Sequence, residues 1–548
     1  MMKRILAILL SIFICLSFSA CRGGSGKDDS GDYTLAVDAD TPYAETVTFT
    51  KGVVNSPGMF SAGQTYENNP YTNYVKEHMN IETKVAWEVN GELYQQKIAL
   101  SIANNNIPDV MLVDRNIFNQ LLENDLIQDM TSSYNNYISP FLKEQFDSFN
   151  GLPFEEVTVD GKIMGIPSPI GHAGHNVLWI RKDWLDTVGM EEPKTLDDVI
   201  AVAKAFVEKD PGGNGPGNTV GMSCNSNVYS GYASRMGFDT IFSSMGAYPA
   251  NWLMKDGKPT YGSVASEMKP VLQILANLYK EGVLDKEFAL RRGDDHDALL
   301  ASGRLGMHFG MWWPASGVTS TFQNNPNADW IALSAPVNSS GNLSVPENDP
   351  LKGILVVRKG YKHPEAIIKA LNSQYEILRG YGEDGAAAYE EFNEEFPPWN
   401  AMPIELDIAF SDALGRIYKD FENALEANDS SVLKIPGYKS AFESVQKYLA
   451  KPNTNWADVQ TYQSRIVGTR AAVADNIKYV PVSFYGQTKT MDSKWSALAK
   501  LEVESIVQII MGEKPVSYFD NFASQWHSSG GQEILDEIAD YRAKHGMK

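Results

Sequence analysis

Segments with the patterns of strands and helices alternate along the first part of this chain. Apolar alternation or short apolar runs typical of strands occur at 46–53, 81–89 and 110–113. Between them, the helical spacing of apolar residues occurs at 71–79 and 94–103. Strands that alternate with helices form parallel sheets covered on both faces, so this order predicts an α/β fold. Further units of the same kind follow at 177–180, 196–207 and 354–357.

The chain is too long for a single hydrophobic core. Its 548 residues exceed the roughly 250–300 that one core supports, and we therefore expect at least two domains. A composition of 43% hydrophobic and 11% aromatic residues is typical of a globular protein. The formal net charge of −21 disfavours nucleic acid as a partner, because phosphate binding needs clustered Lys and Arg.

The first 20 residues have the pattern of an export signal. Lys3 and Arg4 precede an apolar run at 5–18, which is too short for a membrane-spanning helix. Ser and Ala then lead directly to Cys21, an arrangement that resembles the bacterial lipobox, although Phe18 stands where an aliphatic residue is usual. The sequence therefore predicts that a diacylglyceryl group on Cys21 anchors the mature protein to the outer face of the bacterial cell membrane. An ordinary cleaved signal with an incidental cysteine is the alternative.

The stretch that follows Cys21 is rich in Gly, Ser and Asp and has almost no apolar content. It is predicted to be a flexible tether over 21–45, with the folded body beginning near Thr46. Of the three cysteines, Cys15 leaves with the signal and Cys21 is lipidated. Only Cys224 remains, so no intramolecular disulfide is expected.

Several motifs in the body of the chain carry a resemblance to one family. In order along the sequence they are IPDV at 107–110, GKIMGIP at 161–167, WIRKDWL at 179–185, KTLDD at 194–198, LASGRLGM at 300–307 and IMGEK at 510–514. This ordered set resembles the family 1 extracellular solute-binding proteins, the sugar-capturing lipoproteins of bacterial ABC importers. Each motif alone has low specificity, but together they cover nearly the whole mature chain.

The resemblance implies a two-lobed periplasmic-binding-protein-like fold, in which each lobe is a sheet flanked by helices and the ligand binds between the lobes. The first lobe is then expected at 46–168 and 350–400, and the second at 169–349 and 401–548. An oligosaccharide ligand, ABC importer permease subunits as partners, a monomeric state and no cofactor follow from the same resemblance. Ligands of open α/β sheets bind beyond the carboxyl ends of strands, and this rule independently places the site at the cleft.

Sugar binding needs flat apolar faces for pyranose rings and planar polar groups for hydroxyls. Trp312 and Trp313 follow the predicted strand at 306–310, where the family places a stacking aromatic, and are the first candidates. Asp114 and Arg115 follow the strand at 110–113 and are predicted to reach the cleft; a solvated loop or an ion pair within the lobe is the alternative.

The loop at 170–176 lies at the predicted crossing between the lobes. Its two histidines are not aligned by a helix, so a metal site is disfavoured, and Asn176 or His172 is predicted to bind a sugar hydroxyl. Weaker candidates lie in loops near other strands: Trp399, Asn400, Tyr66 and Asn69. In contrast, four tryptophans in periodic or strand-like segments are predicted to pack in the core: Trp179, Trp184, Trp252 and Trp330.

The segment 210–218 resembles a calcium loop that many relatives carry. Asp210, Asn214 and Asn218 stand at ligand positions, but Gly212 and Gly221 replace acidic or amide residues at two others. The loop is therefore a weak candidate, and no metal is predicted.

An enzyme is the competing class of protein. A secreted glycosidase would use two carboxylates across a cleft, and acid pairs occur at 155–156, 191–192 and 390–391. Adjacent acids point to different faces, however, and the hydrolase and P-loop motifs are absent from the sequence. We therefore predict a binding protein rather than an enzyme. A surface binder of glycans or peptides that is not coupled to import is the closer alternative.

Overall fold

A computed structural model of the chain describes residues 38–55, 60–169, 171, 175–229, 236–291, 293–314, 316–392, 399–433 and 435–544. The export signal, Cys21 and most of the predicted tether lie outside these residues. None of the helices in the described ranges is both long and apolar enough to cross a membrane.

The strands are β1 Val47–Val54, β2 Ile81–Val89, β3 Val110–Val113, β4 Thr158–Val159, β5 Lys162–Ile163, β6 Ile166–Pro169, β7 Val177–Arg181, β8 Val220–Met222, β9 Trp252–Lys255, β10 Lys258–Tyr261, β11 Leu305–Gly310, β12 Trp330–Leu333, β13 Leu343–Pro346, β14 Leu351–Val357 and β15 Ile477–Val480.

The helices are α1 Pro70–Met79, α2 Gly91–Ala103, α3 Arg115–Glu123, α4 Thr131–Tyr137, α5 Pro140–Asp147, α6 Leu152–Glu155, α7 Lys182–Val188, α8 Leu196–Lys209, α9 Asp239–Ser244, α10 Met268–Glu281, α11 Gly293–Ala301, α12 Ser316–Asn324, α13 Pro364–Arg379, α14 Gly382–Phe392, α15 Ala413–Ala427, α16 Pro436–Ala450, α17 Trp456–Tyr462, α18 Thr469–Ala472, α19 Lys489–Ile510, α20 Tyr518–Trp526 and α21 Gln532–Lys544. Two π-helical segments, Gln463–Gly468 and His527–Gly531, join α17 to α18 and α20 to α21.

The first sheet has five strands in the order β2-β1-β3-β14-β6. Strands β1, β2 and β3 are parallel, and β14 runs antiparallel to both β3 and β6. Successive residues of β14 pack into different cores: Leu355 and Val357 on one face, and Ile354 and Val356 on the other. The sheet is therefore covered on both faces, as the run of apolar residues in this strand indicates.

The second sheet has four strands in the order β12-β7-β11-β8. Strand β11 is parallel to β8, and β7 is antiparallel to both β11 and β12. Its two faces are also both buried, since Leu178 and Ile180 pack into one core while Val177 and Trp179 pack into another. The C-terminal helices α19, α20 and α21 contribute to the first of these cores.

The chain passes between the two sheets three times. The first crossing joins β6 to β7, the second joins β13 to β14, and the third lies between residue 408 and α15. The first and third crossings lie against each other, because a Cβ on Gly171 would come within 2.4 Å of the carbonyl oxygen of Ser411. The first crossing runs from the carboxyl end of β6 to the start of β7, and the second enters β14 at this same edge of the first sheet, so these segments form the base of the cleft between the lobes.

Arg115 fixes the second crossing to the first lobe. Its guanidinium donates to both oxygens of Asp349, at 2.5 and 2.7 Å, and to both oxygens of Glu156. Its side chain is only 16% exposed. These two carboxylates take four N–H bonds from its guanidinium, so the ion pair that was the alternative to ligand binding for Arg115 is the observed arrangement.

The folded body begins before residue 46. Lys369 on α13 donates to the backbone oxygens of Asp38 and Thr41, at 2.6 and 2.7 Å, and Tyr43 donates its hydroxyl to Glu365 at 2.7 Å. The end of the predicted tether is therefore too late in the sequence, because residues 38–43 form a latch on the first lobe.

The first lobe also extends beyond residue 400. Ile404, Leu406 and Ile408 are fully buried in the core of the first sheet, and Tyr375 donates its hydroxyl to the backbone oxygen of Leu406 at 2.8 Å. Leu414, in contrast, packs in a core of the second sheet. The predicted transfer of the chain to the second lobe at 401 is therefore too early.

Arg115→Ala is expected to lower the free energy of unfolding by about 2 kcal/mol at pH 7, because it leaves two partly buried carboxylates without their cation. Urea unfolding of the variant and the wild type measures this loss. Lys143→Ala is the control: its ion pair with Asp147 is exposed (54% and 62%), and its removal is expected to cost less than about 0.5 kcal/mol. Equal stability of Arg115→Ala and the wild type would show that the ion pairs of Arg115 do not stabilise the attachment of the second crossing to the first lobe.

Candidate functional site

The carboxyl edge of the second sheet brings two loops together. Gly310, the last residue of β11, pairs with Val177, the first residue of the antiparallel strand β7. This register places Trp312 and Trp313 beside His175 and Asn176 at one edge of the sheet. The first sheet presents its own carboxyl edge to the same cleft, since the crossings join these two edges.

Trp312 and Trp313 provide an aromatic surface at this edge. Their rings meet edge to face with centroids 5.0 Å apart, Trp312 being half-buried and Trp313 36% exposed. The backbone before them is held by Trp179, whose indole donates to the carbonyl oxygen of Met311 at 2.8 Å. An exposed indole braced by a second one is suited to stacking on the apolar face of a sugar ring.

A π-helical segment, Gln463–Gly468, packs directly on the first of these tryptophans. A Cβ on Gly468 would lie 1.7 Å from the carbonyl oxygen of Trp312, so only glycine permits this approach. The same segment holds the guanidinium of Arg465 5.7 Å from the Trp312 ring and 5.7 Å from the Tyr438 ring. Single π-helical turns inside α-helices occur frequently at functional sites.

A cavity of about 70 Å³ opens beside the tryptophan edge, between the first two crossings and α9. Ten of its thirteen lining residues have polar side chains; the thirteen are His175, Asn176, Asp239, Thr240, Ser243, Tyr248, Pro249, Asn251, Ser344, Val345, Pro346, Glu347 and Asn348. The imidazole of His175 and the hydroxyl of Thr240 have no hydrogen-bond partner among the described residues, although these residues are only 7% and 3% exposed. Buried polar groups are normally paired, so these two are available to a ligand.

Burial lowers the pKa of His175 to about 4, and the imidazole is therefore neutral at physiological pH. A neutral imidazole has one donor and one acceptor nitrogen, and a sugar hydroxyl can satisfy either. Asn176, beside it, is 2% exposed and donates to the backbone oxygen of Gly237 at 3.2 Å. This bond orients the amide in the cavity wall, so Asn176 stays a candidate while His175 is the stronger one.

Two of the predicted residues have structural roles. The amide of Asn69 is 1% exposed; it accepts from the backbone N–H groups of Tyr71 and Thr72 at the start of α1 and donates to the backbone oxygens of Thr65 and Ala401. These bonds leave it no group for a sugar, so its predicted binding role is wrong.

Tyr66, also a predicted ligand-binding residue, has a structural role as well. It is 7% exposed, its ring packs with Val53 and Ala401, and its hydroxyl donates to the carbonyl oxygen of Val54. It therefore anchors the loop after β1 rather than facing the cleft.

The other candidates are placed as follows. Asp114 is exposed and caps α3 through the N–H of Ile117, which leaves it accessible from the cleft edge of the first sheet. Asn400 donates to the carbonyl oxygen of Val54 at 2.7 Å. His172 and the side chain of Trp399 lie outside the described residues.

The segment 210–218 is held by its own hydrogen bonds. Asp210 accepts from the N–H groups of Asn214 and Gly215, at 3.0 and 2.8 Å, and from the hydroxyl of Thr219. Asn218 donates to the backbone oxygen of Asn214 at 3.0 Å. Within the described ranges no group of three or more His, Cys, Asp or Glu side chains is arranged to hold a metal ion.

The arrangement defines a class of protein: a two-lobed α/β protein with the fold of the solute-binding proteins. The family model for bacterial extracellular solute-binding proteins matches residues 62–373, more than half of the chain. The chain therefore belongs to the bacterial extracellular solute-binding protein family, which confirms the resemblance carried by the motifs.

Curated relatives match over most of their length. The polygalacturonan/rhamnogalacturonan-binding protein YtcQ of Bacillus subtilis is 22% identical over 467 residues, which is 84% of this chain and 86% of the relative. The fructooligosaccharide ABC transporter substrate-binding protein FusA of Streptococcus pneumoniae is 24% identical over 427 residues, covering 73% and 74% of the two chains.

Solved structures share the fold. An extracellular solute-binding protein from Bifidobacterium longum subsp. infantis superposes with a TM-score of 0.62 at 16% identity, covering 91% of this chain and 99% of that one. FusA of S. pneumoniae in complex with kestose gives a TM-score of 0.59 at 17% identity over 91% and 99%. These similarities confirm the predicted two-lobed α/β fold.

The depressed pKa of His175 gives a pH dependence of stability. Since the pKa is about 4 in the folded protein and about 6.5 in the unfolded chain, the contribution is complete above pH 6.5 and is lost as the pH falls towards 4. His175→Gln is expected to reduce the stability lost between pH 7.5 and pH 5 by about 2 kcal/mol, measured by urea unfolding at both pH values.

His308 is the matched control, because burial lowers its pKa to about 4 as well, but it lies within β11 and against Trp330. His308→Gln should reduce the acid sensitivity by a similar amount. An unchanged pH dependence in His175→Gln would show that this imidazole is not buried in solution.

Proposed function

We propose that the protein captures an oligosaccharide in the cleft between its lobes and delivers it to an ABC importer, while a lipid group on Cys21 keeps it at the outer face of the cell membrane. The observation that carries the proposal is the exposed Trp313, braced by Trp312, at the sheet edge where the loop with the unpaired imidazole of His175 also ends. The membrane subunits and the ATPase of the importer are then separate chains.

The chemistry of this edge suits a sugar better than a purely apolar or a purely ionic ligand. Trp313 offers a flat apolar face for the C–H side of a pyranose ring. His175 and Thr240 offer one neutral nitrogen pair and one hydroxyl, which match the mixed donor and acceptor character of sugar hydroxyls. Aromatic faces combined with a few placed polar groups are the usual composition of a small-molecule site.

The relatives support the same class of ligand. YtcQ is named for binding polygalacturonan and rhamnogalacturonan, and FusA for fructo-oligosaccharides. The ligands in both names are glycans of more than one sugar residue. The helices α14 to α18 lie between the strands of the first lobe and the C-terminal helices in sequence, and we interpret this added segment as favouring a ligand longer than a single sugar.

A glycosidase finds less support at the acid pairs in the sequence. Glu156 is bound to Arg115, and Glu390 and Glu391 are exposed on α14. A surface binder that is not coupled to import would use the same binding chemistry, and a transport assay distinguishes the two: deletion of this gene should abolish uptake of the bound sugar.

Trp313→Ala is expected to weaken oligosaccharide binding by about tenfold to a hundredfold, because it removes the stacking face. A thermal-shift screen of oligosaccharides first identifies a ligand, and calorimetry then compares the variant with the wild type. Trp495→Ala is the control, since Trp495 packs on Trp252 and Tyr261 in the second lobe and should affect stability but not affinity. Stabilisation by peptides and by no oligosaccharide would contradict the proposal.

Cys21→Ser is expected to move the protein from the membrane fraction into the medium and to abolish labelling by radioactive palmitate, because the thiol that carries the acyl group is gone. Cys224→Ser is the control: this thiol is fully buried, and its loss should leave both readouts unchanged. Membrane association that persists in Cys21→Ser would contradict lipid anchoring.

A further inference from the structure

Two arginines from different lobes, Arg379 and Arg465, lie within electrostatic range of each other, and Arg465 is beside Trp312. Arg379 is the last residue of α13, which packs in the core of the first sheet. Arg465 belongs to the π-helical segment Gln463–Gly468, which packs against β12 of the second sheet. The two charges are close enough to repel each other, since the charge of Arg379 contributes to lowering the pKa of Arg465.

Neither arginine forms an ion pair or donates a hydrogen bond within the described part of the chain. Their neighbours are aromatic rings: Tyr375 beside Arg379, and Trp312 and Tyr438 beside Arg465. The other described arginines behave differently, because each donates at least one hydrogen bond; they are Arg115, Arg181, Arg291, Arg304, Arg358, Arg416, Arg470 and Arg542.

This arrangement is unusual for the composition of the chain. With 68 acidic residues against 47 basic ones, carboxylates are abundant, and five of the described arginines outside this pair bind one. Burial is the largest cause of the lowered pKa of Arg465, so its guanidinium has lost water without gaining an anion. A desolvated charge with no counter-ion is unfavourable for folding alone, which indicates that a ligand supplies the missing partner.

The surroundings of Arg465 limit what that partner can be. A guanidinium presents a planar fork of donors that matches a carboxylate with two parallel hydrogen bonds. The indole of Trp312 lies 5.7 Å from the Arg465 guanidinium, and the exposed Trp313 lies beside Trp312. The ligand must therefore offer a carboxylate and, next to it, a flat apolar ring face. A sugar that carries its carboxylate on the ring, a uronic acid, has both.

We propose that Arg379 and Arg465 bind the carboxylate of a uronic acid residue, so that the ligand is an acidic oligosaccharide. The proposal rests on the proposed function and specifies its substrate class. Each lobe supplies one guanidinium, and a carboxylate between them replaces a repulsion with two attractions. Binding of an acidic sugar therefore favours approach of the lobes, whereas a neutral sugar at the same place leaves the repulsion unopposed.

The experiment compares an oligogalacturonide of three or four residues with its fully methyl-esterified form, which keeps the rings and hydroxyls but removes the charges. Calorimetry at 0.15 M salt measures the affinity for each of the two ligands in the wild type, in Arg379→Met and in Arg465→Met. We expect the wild type to bind the acid at least about tenfold more tightly than the ester, and either variant to lose most of this preference. Arg416→Met is the control: it alters an exposed arginine on α15 that is paired with Asp412, and it should keep the wild-type preference for the acid.

The thermal stability of the ligand-free proteins separates binding from packing. Because Arg465 has no carboxylate partner to lose, Arg465→Met should unfold at the same temperature as the wild type or at a higher one. If Arg465 serves only to pack against Trp312 and Tyr438, the variant should unfold at a lower temperature, and acid and ester should bind alike.

The remaining outcomes are distinguishable. Equal affinity of the wild type for acid and ester, with Trp313-dependent binding of both, would overturn this inference and leave the proposed function standing. A preference for the acid that survives in both arginine variants would also overturn it, because the carboxylate would then be bound elsewhere. Binding of no oligosaccharide, acidic, esterified or neutral, would overturn the proposed function together with the inference.

Discussion

The three crossings between the sheets are the constraint on which the cleft depends. The first crossing leaves the carboxyl edge of the first sheet and enters the second sheet beside the end of β11, so these two edges face each other whatever sequence the loops carry. The loops that follow the strands then have only one place to project, into the space between the lobes. Fixing the second crossing through Arg115 and packing the first against the third keep this base rigid while the loops vary.

Buried polar groups of this molecule differ in how fully they are paired. Asn69 forms four side-chain hydrogen bonds, and the carboxylate of Glu502 accepts from the hydroxyls of Tyr229 and Tyr261, whereas both ring nitrogens of His308 in β11 have no partner among the described residues. At the cleft, His175 and Thr240 remain unpaired among the described residues. A binding protein gives up stability at its site in this way, because groups satisfied within the protein cannot also satisfy a ligand.

The sequence predicted much of the fold because its signals are local. The strand and helix patterns of 46–113 correspond to β1 to β3 with their two helices, and apolar periodicity correctly separated the core residues Trp179, Trp184, Trp252 and Trp330 from Trp313. Their fractions of exposed surface range from 0% to 8%, against 36% for Trp313.

The site was harder to predict because its residues act through distant partners. Nothing around Arg115 in sequence indicates that Glu156 and Asp349 would bind it, and nothing near Asn69 indicates that its amide would reach the backbone of Ala401. His175 was visible beside β7, but its isolation depends on α9 and on the second crossing. Arg465 lies in a π-helical turn, which has no recognised sequence pattern, so its approach to Trp312 could be found only from the structure.

The latch at 38–43 has a consequence for how the molecule moves. Because Lys369 and Glu365 bind this segment to α13, the tether that leads to Cys21 leaves from the first lobe and not from the base of the cleft. With the anchor proposed here, the tether attaches the membrane to the first lobe alone. The second lobe can therefore change its position relative to the first without pulling on the anchor.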